Sequence, residues 1–152
     1  MNCEMTIMSE GSPRLDDQLC FPLYACAKEV VRQYRKPLEK LNLTYTQYLV
    51  MMVLWEDDSQ TVGEIGHRLM LDTNTLTPML QRMEREGLVT RTRGTSDGRQ
   101  TLVSLTPQGK RLEHKAKDIP SCMAQKWHGD TLAPDQLESM IATIDVLIAG
   151  MK

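Results

Sequence analysis

The sequence is poor in aromatic residues, which make up 5% of it, while methionine occurs eleven times. Methionine and leucine must therefore fill most of the interior, which is typical of an α-rich protein. No apolar run approaches the length needed to cross a membrane. Residues 1–12 lack the apolar core of a secretory signal and contain Glu4 and Glu10. These absences predict a cytoplasmic protein.

The sequence also lacks the cysteine patterns of disulfide-rich and zinc-binding proteins. Its four cysteines form no CxxC pair, so free thiols are expected. The other candidate ligands lack the short spacings of a zinc site: His67, His114, Cys122 and His128. We therefore predict no metal and no cofactor.

Charge is unevenly distributed along the chain. The net charge of −2 would by itself argue against a nucleic-acid-binding protein. Residues 60–111, however, contain eight Lys and Arg residues against five acidic residues, a net charge of +3 that leaves −5 for the rest. A basic face on an acidic body still attracts phosphate locally.

The segment from Thr61 to Pro107 has the pattern of a winged helix-turn-helix. Thr61 and Glu64 form a capping box that starts a first helix, which should end near Leu71. Asp72 can cap a second helix, and Gly87 ends it as a left-handed C-cap would. The buried face of this second helix shows the i, i+3, i+4, i+7 spacing: Leu76, Met79, Leu80 and Met83.

A hairpin is predicted after the second helix. Its strands cover residues 88–92 and 101–105, and the polar loop 93–99 joins them. Thr106 and Pro107 then form the N-cap and first position of another helix.

The outer face of the second helix indicates DNA binding. It carries groups that hydrogen-bond to base edges and phosphates: Asn74, Thr75, Thr77, Gln81, Arg82 and Arg85. Pro78 costs one backbone hydrogen bond near the first turns and could loosen that end. An ordinary polar surface and a protein-docking module are the alternatives, but the order helix, turn, helix, basic wing favours DNA.

The N-terminal helical arm contains the candidate reactive thiol, Cys20. A helix can start at Ser12-Pro13 and run to about Arg35, where Pro37 interrupts or kinks it. Within this helix Cys20 is either a packed small side chain or a reactive thiol. Asp16 disfavours a thiolate, and the benefit of the helix dipole fades beyond the first turn. A reactive thiolate would need hydrogen-bond donors from elsewhere, and the chain offers the hydroxyls of Tyr24, Tyr34, Tyr45 and Tyr48.

The remaining segments supply a core helix and a partner contact. The apolar segment Leu43–Trp55 is predicted to be the hub of the core, capped by Thr44 or Thr46. A long helix from Thr106 should be kinked by Pro120, and a last helix should begin near Pro134. The wide apolar face of that last helix belongs either to a monomeric core or to a dimer interface. A dimer is favoured, because helix-turn-helix proteins usually pair to span two half-sites.

Together these segments resemble the MarR family of bacterial transcription regulators, and more narrowly its branch of organic hydroperoxide sensors, called OhrR. The resemblance covers about Leu15 to Pro120 and is most specific around Cys20. It rests on four stretches: residues 15–21, Leu43–Trp55, residues 71–72 with 75–80, and Asp97-x-Arg99 followed by Leu105-Thr106-x-x-Gly109.

The resemblance implies that Cys20 is the peroxide-sensing thiol. Its sulfur would be bonded by Tyr34 and Tyr45 of the partner subunit, with Tyr24 nearby. The helix beginning near Thr73 would enter the major groove, and Arg99, positioned by Asp97, would enter the minor groove. Thr46 and Gly98 depart from the branch, which has a proline and an acidic residue at these places. The candidate DNA-binding residues are then Asp72, Thr73, Asn74, Thr75, Thr77, Pro78, Gln81, Arg82, Arg85, Arg91, Arg93, Asp97 and Arg99.

The sequence thus predicts a mainly α homodimer with a small β-hairpin wing, a dimeric MarR-like architecture. It should repress transcription from a pseudo-palindromic operator and release this DNA when an organic hydroperoxide oxidises Cys20. The expected division is a flexible tail (1–12), a helical arm (13–59), the winged helix-turn-helix (60–106) and dimerisation helices (107–152). Cys122 is either a core thiol or the cysteine that resolves oxidised Cys20. Release by a small aromatic ligand, or a thiol-dependent peroxidase using Cys20 and Cys122, are the alternatives.

Overall fold

The computed structural model describes residues 14–15, 18–94, 100–128 and 132–151. Within this part of the chain lie α1 (Cys20–Glu39), α2 (Tyr45–Glu56), β1 (Gln60–Thr61), α3 (Val62–Leu69), α4 (Thr73–Arg85), β2 (Val89–Arg93), β3 (Thr101–Leu105), α5 (Pro107–Ala116), α6 (Ile119–His128) and α7 (Pro134–Gly150). None of the helices described is long and apolar enough to span a membrane.

Helix α1 differs from its prediction at both ends. The predicted start at Ser12-Pro13 lies outside the described residues, and α1 begins at Cys20. The predicted end near Arg35 is wrong, because α1 continues through Pro37 to Glu39. A proline one turn from a C-terminus removes a single helical hydrogen bond, and the adjacent Leu38 is only 1% exposed. Burial of Leu38 offsets that loss and holds the last turn in place.

Helix α2 is the hub of the core, as predicted. Of the two candidate caps, Thr44 is the one used: its Oγ1 accepts a hydrogen bond from the Gln47 N–H, and Gln47 Oε1 accepts one from the Thr44 N–H. This capping box fixes the start of the helix. Half of its twelve residues are buried: Gln47, Tyr48, Val50, Met51, Val53 and Leu54.

Helices α3 and α4 form the predicted helix-turn-helix. The Thr61–Glu64 capping box is present, and Met70 turns the chain in the left-handed conformation after Leu69. Asp72 occupies the N-cap of α4, but the predicted side-chain capping bond is absent. Helix α4 runs unbroken through Pro78, because Leu76, Leu80 and Met83 anchor it in the core. At its end Gly87 has φ +75°, the predicted left-handed C-cap.

The wing belongs to a three-stranded antiparallel sheet of order β1-β3-β2. In the hairpin Val89 pairs with Leu105 and Arg93 with Thr101, so the first strand lies one residue later than predicted. Strand β1 was not predicted, because two residues are too short to show a period-2 pattern. Its Thr61 pairs with Leu102 and also caps α3, which ties the sheet to the helix-turn-helix.

The C-terminal third is divided differently from the prediction. Instead of one helix kinked at Pro120, α5 ends at Ala116 and α6 begins at Ile119. Pro120 has no N–H to donate to the carbonyl of residue 116, so the helix ends there and Pro120 falls in the first turn of the next one. Helix α7 begins at Pro134 as predicted, and none of its residues is buried.

Candidate functional site

Cys20 is the first residue of α1, and its side chain is exposed. The sequence placed it well inside a helix and left open a packed, buried thiol. Both expectations are wrong for the isolated chain. The first-turn amides of a helix carry partial positive charge, so the objection that Cys20 lies too far from them no longer holds.

Three tyrosines form a cluster at the joint of α1 and α2. The ring centroids of Tyr34 and Tyr45 are 5.0 Å apart, and those of Tyr34 and Tyr48 are 6.1 Å apart. Burial raises the pKa of all three hydroxyls, and the proximity of Tyr45 raises that of Tyr34 further. The hydroxyls therefore stay protonated at neutral pH and remain hydrogen-bond donors.

This tyrosine cluster cannot serve the thiol of its own chain. Cys20 and Tyr34 lie fourteen residues apart on the continuous helix α1, which is about 21 Å at 1.5 Å per residue. Tyr24, in contrast, is one turn from Cys20 and 61% exposed, with the Lys28 ammonium 5.8 Å from its ring centroid. A second copy of the chain is needed to bring Tyr34 and Tyr45 to Cys20.

The other two described cysteines are also exposed. Cys26 lies on α1, and Cys122 lies in the first turn of α6, where its N–H donates to the Asp118 carbonyl oxygen. The alternative that Cys122 is a core thiol does not hold in the isolated chain. The part of the chain described contains no cluster of three or more metal-ligating side chains.

Two helices leave large apolar side chains uncovered. In α1 and the residues before it, the exposed apolar side chains are Leu15, Leu19, Phe21, Leu23 and Val31. In α7 and at its end they are Met140, Ile141, Val146, Leu147 and Met151. Ile141, for example, is 51% exposed. Exposed large apolar side chains concentrated on two helices are typical of a protein interface.

The outer face of α4 is solvent-accessible. Thr73, Asn74, Thr75, Pro78, Gln81, Arg82 and Arg85 are exposed, as is Asp72 before the helix, while Thr77 is half-buried. The structure therefore brings these predicted DNA-binding residues onto one accessible face of α4 and its N-terminus. The free amides of the first turn point along the axis out of the N-terminus of α4, where they can meet a phosphate.

The wing contributes fewer of the predicted residues. Arg93 is exposed at the end of β2, and the Gly94 N–H donates to the Gln100 carbonyl oxygen at 2.8 Å to close the loop base. Asp97 and Arg99 lie outside the described residues. Arg91 is only 23% exposed and forms an ion pair with Glu84, with Nη2 2.8 Å from Oε2. This arginine joins the wing to α4, a role that the sequence did not reveal.

Gln47 is a second residue that sequence reasoning missed. Its side chain is 4% exposed, and its Nε2 donates to Glu86 Oε2 at 3.3 Å. The pattern Thr44-x-x-Gln47 could have revealed the capping box. The contact with Glu86 spans 39 residues and leaves no local signal.

A cavity of about 420 Å³ opens between α2 and the α5–α6 segment. Tyr48, Met52 and Trp55 form its apolar side, and its polar side is lined by Lys110, Glu113, His114 and Lys117. Its size and its mixture of groups suit a small organic molecule.

Comparison with known proteins places the chain in a family. The profile described as transcriptional regulator SarA/Rot matches residues 32–119. The organic hydroperoxide resistance transcriptional regulator of Bacillus subtilis (strain 168) is 47% identical over 133 residues, covering 86% of this chain and 89% of its own length. The chain belongs to the MarR family of transcription regulators, in the organic hydroperoxide branch.

Solved structures of this family share the fold. Reduced AbfR bound to DNA matches with a TM-score of 0.76 and 34% identity, covering 91% of this chain and 94% of that one. Disulfide-formed AbfR matches with a TM-score of 0.63 and 40% identity, covering 89% and 93%. AbfR is a Staphylococcus epidermidis protein. The winged-helix MarR-like fold class is confirmed. By TM-score, the fold of this chain is more similar to the reduced, DNA-bound form of AbfR than to the disulfide form.

Proposed function

We propose that this MarR-family protein is a homodimeric repressor that binds a pseudo-palindromic operator while Cys20 is reduced and leaves it when an organic hydroperoxide oxidises Cys20. One observation carries the proposal. Cys20 is exposed at the start of α1, whereas the protonated Tyr34–Tyr45 pair lies too far along the same chain to reach it. The site becomes complete only when two chains meet.

The dimer supplies the missing half of each site. The uncovered apolar residues of α1 and α7 would be buried against the second copy, as in an interface core. Tyr34 and Tyr45 of the partner subunit then donate hydrogen bonds to the Cys20 sulfur, with Tyr24 of the same chain nearby. The division into arm (13–59), winged helix-turn-helix (60–106) and dimerisation helices (107–152) follows the same arrangement.

Oxidation proceeds in two balanced steps. The Cys20 thiolate attacks the terminal oxygen of the hydroperoxide, the O–O bond breaks, and the alkoxide takes up a proton and leaves as an alcohol. The resulting sulfenic acid is attacked by the thiol of Cys122 of the partner subunit, which forms the disulfide and releases water. Exposure of Cys122 supports this second step.

DNA binding uses the two α4 helices of the dimer. Their exposed faces would enter successive major grooves about 34 Å apart, with the wing residues against the flanking backbone. A disulfide requires its two Cα atoms to lie within about 7 Å. Bringing α1 and α6 of two subunits this close shifts the arms and changes the spacing of the α4 helices. We accordingly place the protein in the cytoplasm, where its operator lies.

The test is a gel shift on the DNA upstream of the protein's own gene, with and without cumene hydroperoxide, followed by intact mass and a non-reducing gel. Wild-type protein should release DNA and run as a covalent dimer. Cys20→Ser should bind but not release. Cys26→Ser, which removes another exposed thiol of α1, is the matched control and should behave as wild type. A Cys20→Ser protein that still releases DNA on peroxide treatment contradicts the proposal.

A second candidate function rests on the cavity beside Trp55. A small aromatic acid could bind there and release DNA without oxidation, because the cavity combines apolar and cationic groups. Titration with benzoate under reducing conditions tests this candidate. DNA release in both wild type and Cys20→Ser would favour it.

A peroxidase role is the alternative from a different class. The relatives described above are transcriptional regulators, and a regulator needs only one oxidation per signal. Continuous hydroperoxide consumption with a recycling reductant would favour the peroxidase.

A further inference from the structure

The side chain of Gln47 connects two parts of the molecule that the proposed function requires to communicate. It is almost fully buried, and both the oxygen and the nitrogen of its amide form hydrogen bonds. Oε1 accepts from the Thr44 N–H at 2.8 Å, and Nε2 donates to Glu86 Oε2 at 3.3 Å. One amide group thus joins the start of α2 to the end of α4.

The start of α2 belongs to the thiol site. Thr44 is the N-cap, and the next residue, Tyr45, is the first of α2, with its ring 5.0 Å from that of Tyr34. Because Gln47 and Thr44 hold the first turn of α2 in a reciprocal pair of hydrogen bonds, a movement of Tyr45 must displace this cap.

The other end of the contact belongs to the DNA-reading helix. Glu86 is the C-cap of α4, and its backbone N–H donates to the Arg82 carbonyl oxygen. Arg82 is one turn earlier and exposed on the predicted DNA-binding face. A displacement of Glu86 therefore acts on the rigid helix that carries the reading residues.

The joint is held by polar contacts beside an open space. A cavity of about 230 Å³ lies at this joint, lined by Asn42, Leu43, Thr44, Gln47, Arg82 and Glu86 among others. Because the cavity lies at the edge of the core, the start of α2 and the end of α4 can adjust there while Leu80 and Met83 stay packed. The hydrogen bond between Gln47 and Glu86 is a polar link between these two helix ends.

We propose that Gln47 is a positioning residue that transmits the state of the Tyr34–Tyr45 pair to α4 through Glu86. The inference rests on the proposed function. Loss of the tyrosine–sulfur contact moves the first turn of α2, and Gln47 carries that movement to the end of the reading helix. Breaking the link leaves a protein that is oxidised normally but responds less in its DNA affinity.

Three variants isolate the link. Glu86→Ala removes the acceptor and leaves the α2 cap intact. Gln47→Glu keeps the capping box, which accepts Glu at this position, but sets two carboxylates against each other. The double variant Gln47→Glu/Glu86→Gln exchanges acceptor and donor and restores the hydrogen bond. Glu113→Ala, which removes an exposed carboxylate from α5, is the control for lost charge.

The measurement is a ratio of two dissociation constants for the DNA upstream of the protein's own gene. The Kd of the oxidised protein is divided by the Kd of the reduced protein. Cumene hydroperoxide is the oxidant, and intact mass verifies equal oxidation. Allosteric coupling is typically about 5–150-fold, so the wild-type ratio should lie in this range. Glu86→Ala and Gln47→Glu should each lower it at least about threefold, and the double variant and Glu113→Ala should keep the wild-type ratio.

The outcomes separate this inference from the proposed function. Single variants that retain the wild-type ratio, or a double variant that does not recover it, overturn the role of Gln47. A wild-type ratio of one overturns the proposed function itself. If Gln47→Glu does not fold, Glu86→Ala carries the test alone, because it leaves every hydrogen bond of the α2 cap in place.

Discussion

The carboxylate of Glu84 holds Arg91 by both its side chain and its backbone. Glu84 Oε2 accepts from Arg91 Nε at 2.9 Å, and Glu84 Oε1 accepts from the Arg91 N–H at 3.0 Å. The hydrogen bond from Arg91 lowers the pKa of the Glu84 carboxyl. Because Glu84 lies on α4 and Arg91 on β2, this contact ties the wing to α4.

The first prediction follows from this contact. Glu84→Gln removes the charge that orients Arg91 and should weaken operator binding several-fold while leaving the dimer folded. Fluorescence anisotropy with labelled operator measures the affinity, and circular dichroism verifies the fold. Glu138→Gln, an exposed change on α7, is the control. Unchanged affinity for Glu84→Gln would show that operator binding does not depend on this tie between wing and α4.

The second prediction concerns the tyrosine hydroxyls. Tyr34→Phe and Tyr45→Phe keep the tilted contact between the two rings but remove donors to the thiolate. A hydrogen bond to a charged group contributes about 1.5–3 kcal/mol, so hydroperoxide-induced release should slow about tenfold or more. Stopped-flow anisotropy gives the rate. Tyr48→Phe is the matched control, since Tyr48 belongs to the same cluster without being a proposed sulfur ligand, and it should keep the wild-type rate.

The third prediction compares two glycines. A Cβ at Gly109 would clash with the backbone carbonyl oxygen of Leu88, whereas a Cβ at Gly63 would meet only Thr61 Oγ1 at 4.0 Å. Gly109→Ala should lower the free energy of unfolding by about 1–3 kcal/mol. Gly63→Ala, inside α3, should raise it by about 0.5–1 kcal/mol. Urea denaturation at one fixed protein concentration measures both. A stable Gly109→Ala protein would show that this backbone approach can relax.

The fourth prediction concerns pH. Partial burial raises the pKa of Asp58, but hydrogen bonds from the Leu105 N–H and Lys110 Nζ outweigh it and lower the pKa below its ordinary value. The stabilisation is therefore present above the ordinary carboxyl pKa and is lost as pH falls through the lowered value in the folded protein. Asp58→Asn should reduce the free energy of unfolding by about 1 kcal/mol at pH 7. The difference should vanish in acid, and urea denaturation at a series of pH values measures it.

Local hydrogen-bonding patterns were the part of the fold that the sequence predicted well. The caps at Thr61 and Thr106 and the left-handed Gly87 depend on residues within one helical turn. The helix ends that they mark could therefore be predicted from the sequence. The division between α5 and α6 was missed because Pro120 was taken as a kink in one helix and not as the first turn of the next. The place of Cys20 was missed because the residues before it contain an equally plausible helix start.

The candidate site was predictable only where single residues carry the chemistry. The polar, exposed face of α4 was predicted from its side-chain types, and its binding to DNA stays a prediction. The contacts Gln47–Glu86 and Glu84–Arg91 depend on how α2, α4 and β2 pack, and no local pattern encodes them. From its neighbours alone Cys20 could be inert or reactive, and the resemblance to the OhrR branch was what favoured a reactive thiol.

The length of α1 has a consequence for dimers made from two different variants. Since Cys20 and Tyr34 of one chain are held about 21 Å apart on α1, a chain without the thiol and a chain without the tyrosine hydroxyls can complement each other. Their mixed dimer retains one intact site, which combines Cys20 of one chain with Tyr34 and Tyr45 of the other. In a heterodimer of Cys20→Ser with Tyr34→Phe/Tyr45→Phe, purified away from both homodimers, hydroperoxide should therefore oxidise the one intact site at the wild-type rate, as measured by intact mass.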